Sequence, residues 1–277
     1  MNAEAPKRPS ADGPSEGEVI ADRFSTDEVY RRLVATAEEE LRRSSRQLFV
    51  SGLAAGLTVS ASILARFSVT ARLGGDAVAE LTGNLLYGLG FVFIMVGRYQ
   101  LFTENTLTPV TLVLEGRATL RQLLRLWTLV LSANLVGACC IAWIFAHTSV
   151  LSPEVHDVAL EVGQHGLEAS AAEVFWKGIF AGGLIATLVW LGLAVRESTA
   201  RILLVMLVVY VVPTAGLHHC VFGSEEALYV VFRGHGTWLS FIRFFACAVA
   251  GNSVGGIVLV ALVNYAQTKS LTLGYRR

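Results

Sequence analysis

The sequence predicts an all-α membrane protein of six spanning units, built as two inverted three-helix repeats in which the second and fifth helices are broken. Three observations carry that prediction. Hydrophobic residues make up 53% of the chain and charged residues only 16%, with a mean hydropathy of +0.55. That balance lies outside ordinary soluble domains, and several runs approach the roughly 20 apolar residues that cross a bilayer as a helix. Second, two of the runs are interrupted by polar residues: Phe102-Thr103-Glu104-Asn105 follows Leu85 to Val96, and Leu217-His218-His219-Cys220, then Gly223-Ser224-Glu225-Glu226, follows Ile202 to Val212. Non-helical backbone at membrane depth is tolerated only where protein buries it or where it lines a cavity, so two such breaks point to a permeation path. Third, short motifs recur in order. Gly52-Leu53-Ala54-Ala55-Gly56 matches Gly178-Ile179-Phe180-Ala181-Gly182, Thr103-Glu104 matches Ser224-Glu225, and Ala133-Asn134-Leu135-Val136-Gly137 matches Gly251-Asn252-Ser253-Val254-Gly255, at offsets of 126, 121 and 118 residues. Three spans per half is an odd number, so the halves must run in opposite directions through the bilayer.

In chain order, residues 1–24 are rich in Pro, Ser, Gly and Glu and read as a disordered tail. Residues 25–46 read as an amphipathic cytoplasmic helix lying on the membrane's cytoplasmic face or on a neighbouring subunit: Ser25 and Glu28 form a capping box, and Val29, Leu33, Val34, Ala37 and Leu41 make an apolar stripe. The channel domain is expected over 47–268, with units at Gln47 to Arg66, Leu81 to Glu115, Leu126 to Thr148, Ala171 to Val195, Arg201 to Phe232 and Leu239 to Ala266, followed by a tail at 269–277. The first apolar run begins after about forty residues and reads as a span instead of a cleaved signal. Arginines cluster before the first unit, at Arg117, Arg121 and Arg125, and at Arg196 and Arg201, whereas Val150 to Ser170 carries four acids and no Lys or Arg. The positive-inside rule then places both termini in the cytoplasm of a multi-pass inner-membrane protein.

Tyr87-Gly88-Leu89-Gly90-Phe91, Leu101-Phe102-Thr103-Glu104-Asn105-Thr106, Gly216-Leu217-His218-His219-Cys220 and Gly251-Asn252-Ser253-Val254-Gly255-Gly256 resemble, in order and spacing, the signatures of the formate/nitrite transporter family. The resemblance covers roughly Ser44 to Gln267. It implies an aquaporin-like fold, a homopentamer with one pore per subunit, and passage of small monovalent anions. By position it places His219 at a central pore histidine, Thr103 opposite it, and Tyr87, Phe91, Leu101 and Val212 at or near apolar constrictions. Asn134, Asn252, Ser224 and Glu225 fall at the helix breaks or their packing faces. The chain departs from the family pattern at Gly97-Arg98-Tyr99-Gln100, at His218, where the family usually has an acid, and at Glu104, Glu225 and Glu226. An unpaired charge at that depth is expensive, so Arg98 and Glu104 are expected to form a buried ion pair.

The chemistry of His219 stands beside the resemblance. A histidine at membrane depth either faces a pathway or caps a carbonyl freed by the break. On a pathway it could hand a proton to a weak-acid anion, which then crosses as the neutral acid. The polar residues at membrane depth form neither a nucleophile–base pair nor a metal-ligand cluster, so no enzyme, metal or cofactor is expected. Cys139, Cys140, Cys220 and Cys247 lie within spans and read as small apolar residues. The expected partners are the lipid bilayer, a small monovalent anion such as formate, nitrite, acetate, lactate or hydrosulfide, protons, and further copies of the chain, but not nucleic acid. A membrane scaffold or sensor that keeps the channel fold without transport is the alternative.

Overall fold

Residues 24–274 are described in the computed structural model. The tail expected over 1–24 therefore lies outside the described residues except for Phe24, as do residues 275–277 of the expected C-terminal tail.

Helix α1 spans Thr26–Arg42 and opens on the expected capping box: Ser25 N–H donates to Glu28 Oε2 at 2.8 Å, and Glu28 N–H donates to Ser25 Oγ at 3.3 Å. Its buried face is Val29, Tyr30, Leu33, Ala37 and Glu40, so Tyr30 and a carboxylate join the stripe while Val34 and Leu41 sit at its margin. After a second capping box at Ser44 and Gln47, α2 runs over Ser45–Arg72, about one and a half turns beyond the boundary expected from composition, with its ladder interrupted at Val59. Helix α3 spans Ala77–Gly97 and tightens to a 3₁₀ turn at Leu85–Tyr87. A non-helical segment then leads through a 3₁₀ turn at Glu104–Thr106 into the short α4, Thr108–Leu114. Helix α5 (Leu120–His147) has 28 residues and is about 42 Å long. It is followed by α6 (Pro153–Glu168), α7 (Ala171–Ala194) and α8 (Ser198–Thr214). Residues 215–221 form the second break, after which come α9 (Phe222–Phe232) and α10, which starts at Trp238, passes through a π-helical stretch at Gly255–Leu262 and ends in Val263–Gly274.

Five helices, α2, α3, α5, α7 and α10, are long and apolar enough to cross a membrane, and α8 is a shorter apolar helix of 17 residues. No strand occurs among the described residues. Apolar side chains point outward as well as inward, with Leu207, Phe180 and Val263 more than half exposed, as expected when the surrounding solvent is lipid.

Two helix pairs set the frame, α2 against α5 and α7 against α10, and each crosses at a glycine. A Cβ on Gly56 would lie 2.9 Å from Asn134 Cα, and one on Gly182 would lie 2.5 Å from Asn252 Cα. Backbone cannot yield as a side chain can, so these crossings admit no larger residue. Helix α1 packs on its own chain, against α4, α7 and α10. Arg117, just before α5, pairs with Glu38 of α1, while the far end of α5 leads into α6. The α1 and α6 helices thus occupy opposite ends of the bundle.

Candidate permeation site

A chain break inside an apolar bundle strips backbone groups of their helical partners, and each such group costs free energy unless something pairs with it. Asn134 on α5 solves this for the first break: its Oδ1 accepts from Phe102 N–H at 2.9 Å, and its Nδ2 donates to Gln100 O at 2.9 Å and Gly52 O at 2.8 Å. Asn252 on α10 repeats the pattern at the second: its Oδ1 accepts from Cys220 N–H at 2.8 Å, and its Nδ2 donates to His218 O at 2.9 Å and Gly178 O at 2.8 Å. Both side chains are fully buried. The matched bonds relate Gln100 to His218 and Phe102 to Cys220, an offset of 118 residues. Thr103 therefore corresponds to Val221, and the sequence match of Thr103-Glu104 to Ser224-Glu225 is corrected by about one helical turn. Ser224 and Glu225 lie in the first turn of α9, where the Ser224 hydroxyl donates back to Cys220 O.

The two breaks meet at His219. Its Nε2 is 2.9 Å from Thr103 Oγ1, and both residues are buried. The backbone N–H groups of Val221 and Phe222 donate to Nδ1 at 3.2 and 3.3 Å. Nδ1 is thus an acceptor, so the ring hydrogen sits on Nε2 and is donated to Thr103. Against this polar point stands a row of aromatic rings. Phe91 meets the His219 ring edge-on at 5.3 Å, Phe222 stacks on Phe91 at 4.1 Å and 8°, and Tyr87 follows at 5.0 Å from Phe222. Ser62 of α2 fixes the Tyr87 turn by donating to Tyr87 O at 2.6 Å while accepting from Gly90 N–H at 2.7 Å. Leu101 and Val212 are fully buried in the same apolar cluster, and each supports a break: Leu101 O accepts from Glu104 N–H at 3.1 Å and Val212 O from Leu217 N–H at 2.8 Å.

The expected Arg98–Glu104 pair does not form. Helix α3 ends at Gly97, and Arg98 caps it in the left-handed conformation at φ 56°. Its side chain leaves the bundle, is 68% exposed, and pairs with Glu39 of α1 at 3.1 Å. A solvated pair avoids the desolvation that a buried one incurs. Among the described residues Glu104 Oε1 is instead buried without a hydrogen-bond partner, as are both carboxylate oxygens of Glu225 and Nε2 of His218, whose ring meets Phe244 edge-on at 5.5 Å. On the α1 side, a cavity of about 390 Å³ reaches toward the first break, lined by Glu39, Glu40, Arg43, Arg98, Glu104 and Arg201 among others. Glu40 is buried there, and burial pushes its carboxyl up to about 6 despite the hydrogen bond it accepts from Thr108 Oγ1 at 2.6 Å.

Sequence reasoning missed Phe222, the ring that joins Phe91 to Tyr87, because one more aromatic in an apolar chain carries no signal. It also made Arg66 the last residue of the first span, where a charge needs no partner. Arg66 is buried in α2 and pairs with Glu226 at 3.2 Å.

Comparison with known proteins identifies the family and the fold. The profile of the family described as "Formate/nitrite transporter" matches residues 27–266. The chain is 35% identical over 245 residues to the inner membrane protein YfdC of Escherichia coli, covering 87% of this chain and 78% of that one. It is 28% identical over 178 residues to the formate channel FocA of Haemophilus influenzae, covering 62% of each. Among solved structures, an FNT family ion channel superposes with a TM-score of 0.76 at 22% identity over 88% of this chain and 99% of that one. A pentameric formate channel with formate bound gives 0.68 at 22% identity over 81% and 97%. With its profile matched over most of its length and its fold shared with these channels, the chain belongs to the formate/nitrite transporter family of multi-pass membrane proteins.

Proposed function

We propose that this protein conducts a small monovalent anion of a weak acid, of the formate or nitrite kind, and that His219 is the group the solute meets at the narrowest point. The contact between Thr103 and His219, made by the two chain breaks and closed off by Phe91 and Phe222, carries this reading. The relatives include proteins named as formate channels, which supports the choice of solute. An anion that displaces Thr103 takes the Nε2–H bond. A charged solute resists the dry aromatic row beyond, because burying an unpaired charge is costly. Proton transfer from an imidazolium to the bound anion yields neutral imidazole and neutral acid, which crosses that row without the charge penalty. For the ring to become imidazolium, Nδ1 must take a hydrogen and release the Val221 and Phe222 N–H groups, so proton uptake is tied to a small movement of the second break.

The matched Asn134 and Asn252 networks support two inverted three-helix repeats, with α3 and α4 forming the second spanning unit and α8 and α9 the fifth. The arginine distribution supports cytoplasmic termini, with α1 and its vestibule inside and α6 outside. The domain bounds proposed are 47–268 for the channel, preceded by the 25–46 surface helix and the 1–24 tail and followed by a 269–277 tail. Likeness to a pentameric channel supports a homopentamer.

The test is formate flux through purified protein in vesicles as a function of pH. His219→Phe, which keeps ring volume but carries no proton, is expected to lower flux at acidic pH by about 100-fold and to remove the pH response while leaving the oligomer intact. His219→Asn is expected to fold and conduct without pH dependence. Unchanged flux and pH profile in His219→Phe would make the histidine a cap on the broken helix and end its proposed role.

A further inference from the structure

Arg66 lies within the membrane-spanning length of α2 and is 7% exposed. Its Nε donates to Asn84 Oδ1 at 2.7 Å and its Nη1 to Glu226 Oε1 at 3.2 Å. Asn84 is anchored by donating to Thr214 Oγ1 at 3.4 Å, so α2, α3, α8 and α9 converge on one guanidinium. An arginine has five N–H donors. These two bonds use two of them, and three remain without a partner among the described residues. The guanidinium carbon is 5.8 Å from the Tyr87 ring centroid, and Tyr87 begins the aromatic row that runs through Phe222 and Phe91 to His219. Helix α6 packs on the same turn of α9, where a Cβ on Gly163 would lie 2.6 Å from Glu226 O. Arg66 thus stands at the α6-side end of that row.

Stability alone is a poor reason for such a pair, since exchanging a buried ion pair for packed apolar groups is often neutral or favourable. Nor is this pair built for maximum strength: it is one long bond, with the two-donor edges of the guanidinium not closed by a carboxylate. A conduit needs sites that are favourable enough to load and weak enough to release. We propose that Arg66 is the loading site for the permeating anion on the α6 side, selecting planar oxygen anions of carboxylate or nitrite type, and that Glu226 is a built-in competitor that keeps the site from holding them. The proposal rests on the anion-channel reading above and narrows its solute. A guanidinium edge matches two oxygens of a planar anion, which a spherical anion such as chloride cannot reproduce.

The experiment measures formate binding to the purified protein by saturation-transfer NMR, with chloride as competitor, and formate flux in vesicles of the same proteins. Glu226→Gln frees the guanidinium and is expected to tighten formate about tenfold, a change of about 1.4 kcal/mol. Arg66→Gln alone strands a buried carboxylate and is expected to fold poorly, so the informative change is the neutral double variant Arg66→Gln/Glu226→Gln. It is expected to fold, to bind formate about tenfold more weakly than the parent, and to lose the preference over chloride. Arg66→Lys, which keeps the charge without the fork, is expected to bind both anions alike. Equal formate affinity in Glu226→Gln and the double variant overturns the proposal. A parent that binds formate through Arg66 but passes none refutes the channel reading and leaves Arg66 as an anion-binding site that loads no pore. A parent that passes formate, with KM unmoved in every variant, refutes the loading site alone.

Discussion

Asn134 and Asn252 are the most consequential single side chains of the scaffold, because each satisfies one backbone N–H and one carbonyl that a break would otherwise strand in an apolar interior, and ties the break to a carbonyl of the neighbouring helix. An orphaned buried polar group costs about 1–3 kcal/mol, and the loss of Asn252 orphans the Cys220 N–H and the His218 carbonyl, so Asn252→Ala is expected to destabilise by at least about 2 kcal/mol. Asn252→Asp is expected to be nearly as damaging, since a carboxylate would face the His218 and Gly178 carbonyls without donors. Thermal unfolding monitored by loss of the oligomer peak checks both; a melting temperature within a degree or two of the parent would show that water or a shifted backbone replaces the asparagine. At this scale the sequence was a partial guide. His219 was legible because an ionisable group is conspicuous at membrane depth, Thr103 as its neighbour only through the family resemblance, and the structure brings the two into contact. Arg98 and Glu104 misled because they are neighbours in sequence, whereas a left-handed residue at the end of α3 sends the arginine to solvent. That backbone angle leaves no mark in composition.

The elements owe their placement to close crossings and to one buried carboxylate. Gly182 meets the Asn252 backbone so closely that Gly182→Leu is expected to separate α7 from α10 and displace the asparagine bonded to the second break, abolishing assembly; Gly182→Ala is expected to cost about 1–3 kcal/mol. Unaltered unfolding of the alanine variant would show that the crossing has slack. Glu40 couples α1 to α4 through Thr108, and its carboxyl is raised from 4.5 to about 6 by burial. The folded state therefore holds the proton more tightly than the unfolded chain. The contribution of Glu40 is fully present below about pH 4.5 and is lost as pH rises through about 6, a change of about 2 kcal/mol. The melting temperature of the parent is expected to fall more between pH 4.5 and 7 than that of Glu40→Gln, which lacks this titration. Parallel curves would contradict it. A capping box and an apolar stripe made α1 readable in sequence, and long apolar runs made α2 and α5 readable, whereas the short α4 and the exact start of α9 were hidden by continuous hydrophobicity on both sides of each break.

For the whole molecule, the apolar outer faces must be covered by lipid or by other copies of the chain. A native-mass measurement is expected to give five subunits, and a monomer as the sole species would argue against that assembly. Cysteines placed at Ser152 and Glu197, both exposed and on opposite ends of the bundle, are expected to react with an impermeant reagent from opposite sides of the membrane, Ser152 from outside. Labelling of both from one side would contradict the orientation. The repeated motifs point in sequence to the two-fold organisation proposed above, because Gly and Asn recur wherever a broken helix must be packed and capped. The register of the breaks was not legible, since chemically similar pairs such as Thr103-Glu104 and Ser224-Glu225 occupy different places along the path. The central claim, conduction of a small weak-acid anion, is tested most directly by loading vesicles that contain the purified protein with labelled formate and following its release. A conducting channel empties them far faster than protein-free vesicles do, and faster at acidic than at neutral pH; release indistinguishable from protein-free vesicles, across formate, nitrite, acetate, lactate and hydrosulfide, would mean that the fold serves as a scaffold or sensor and carries no solute.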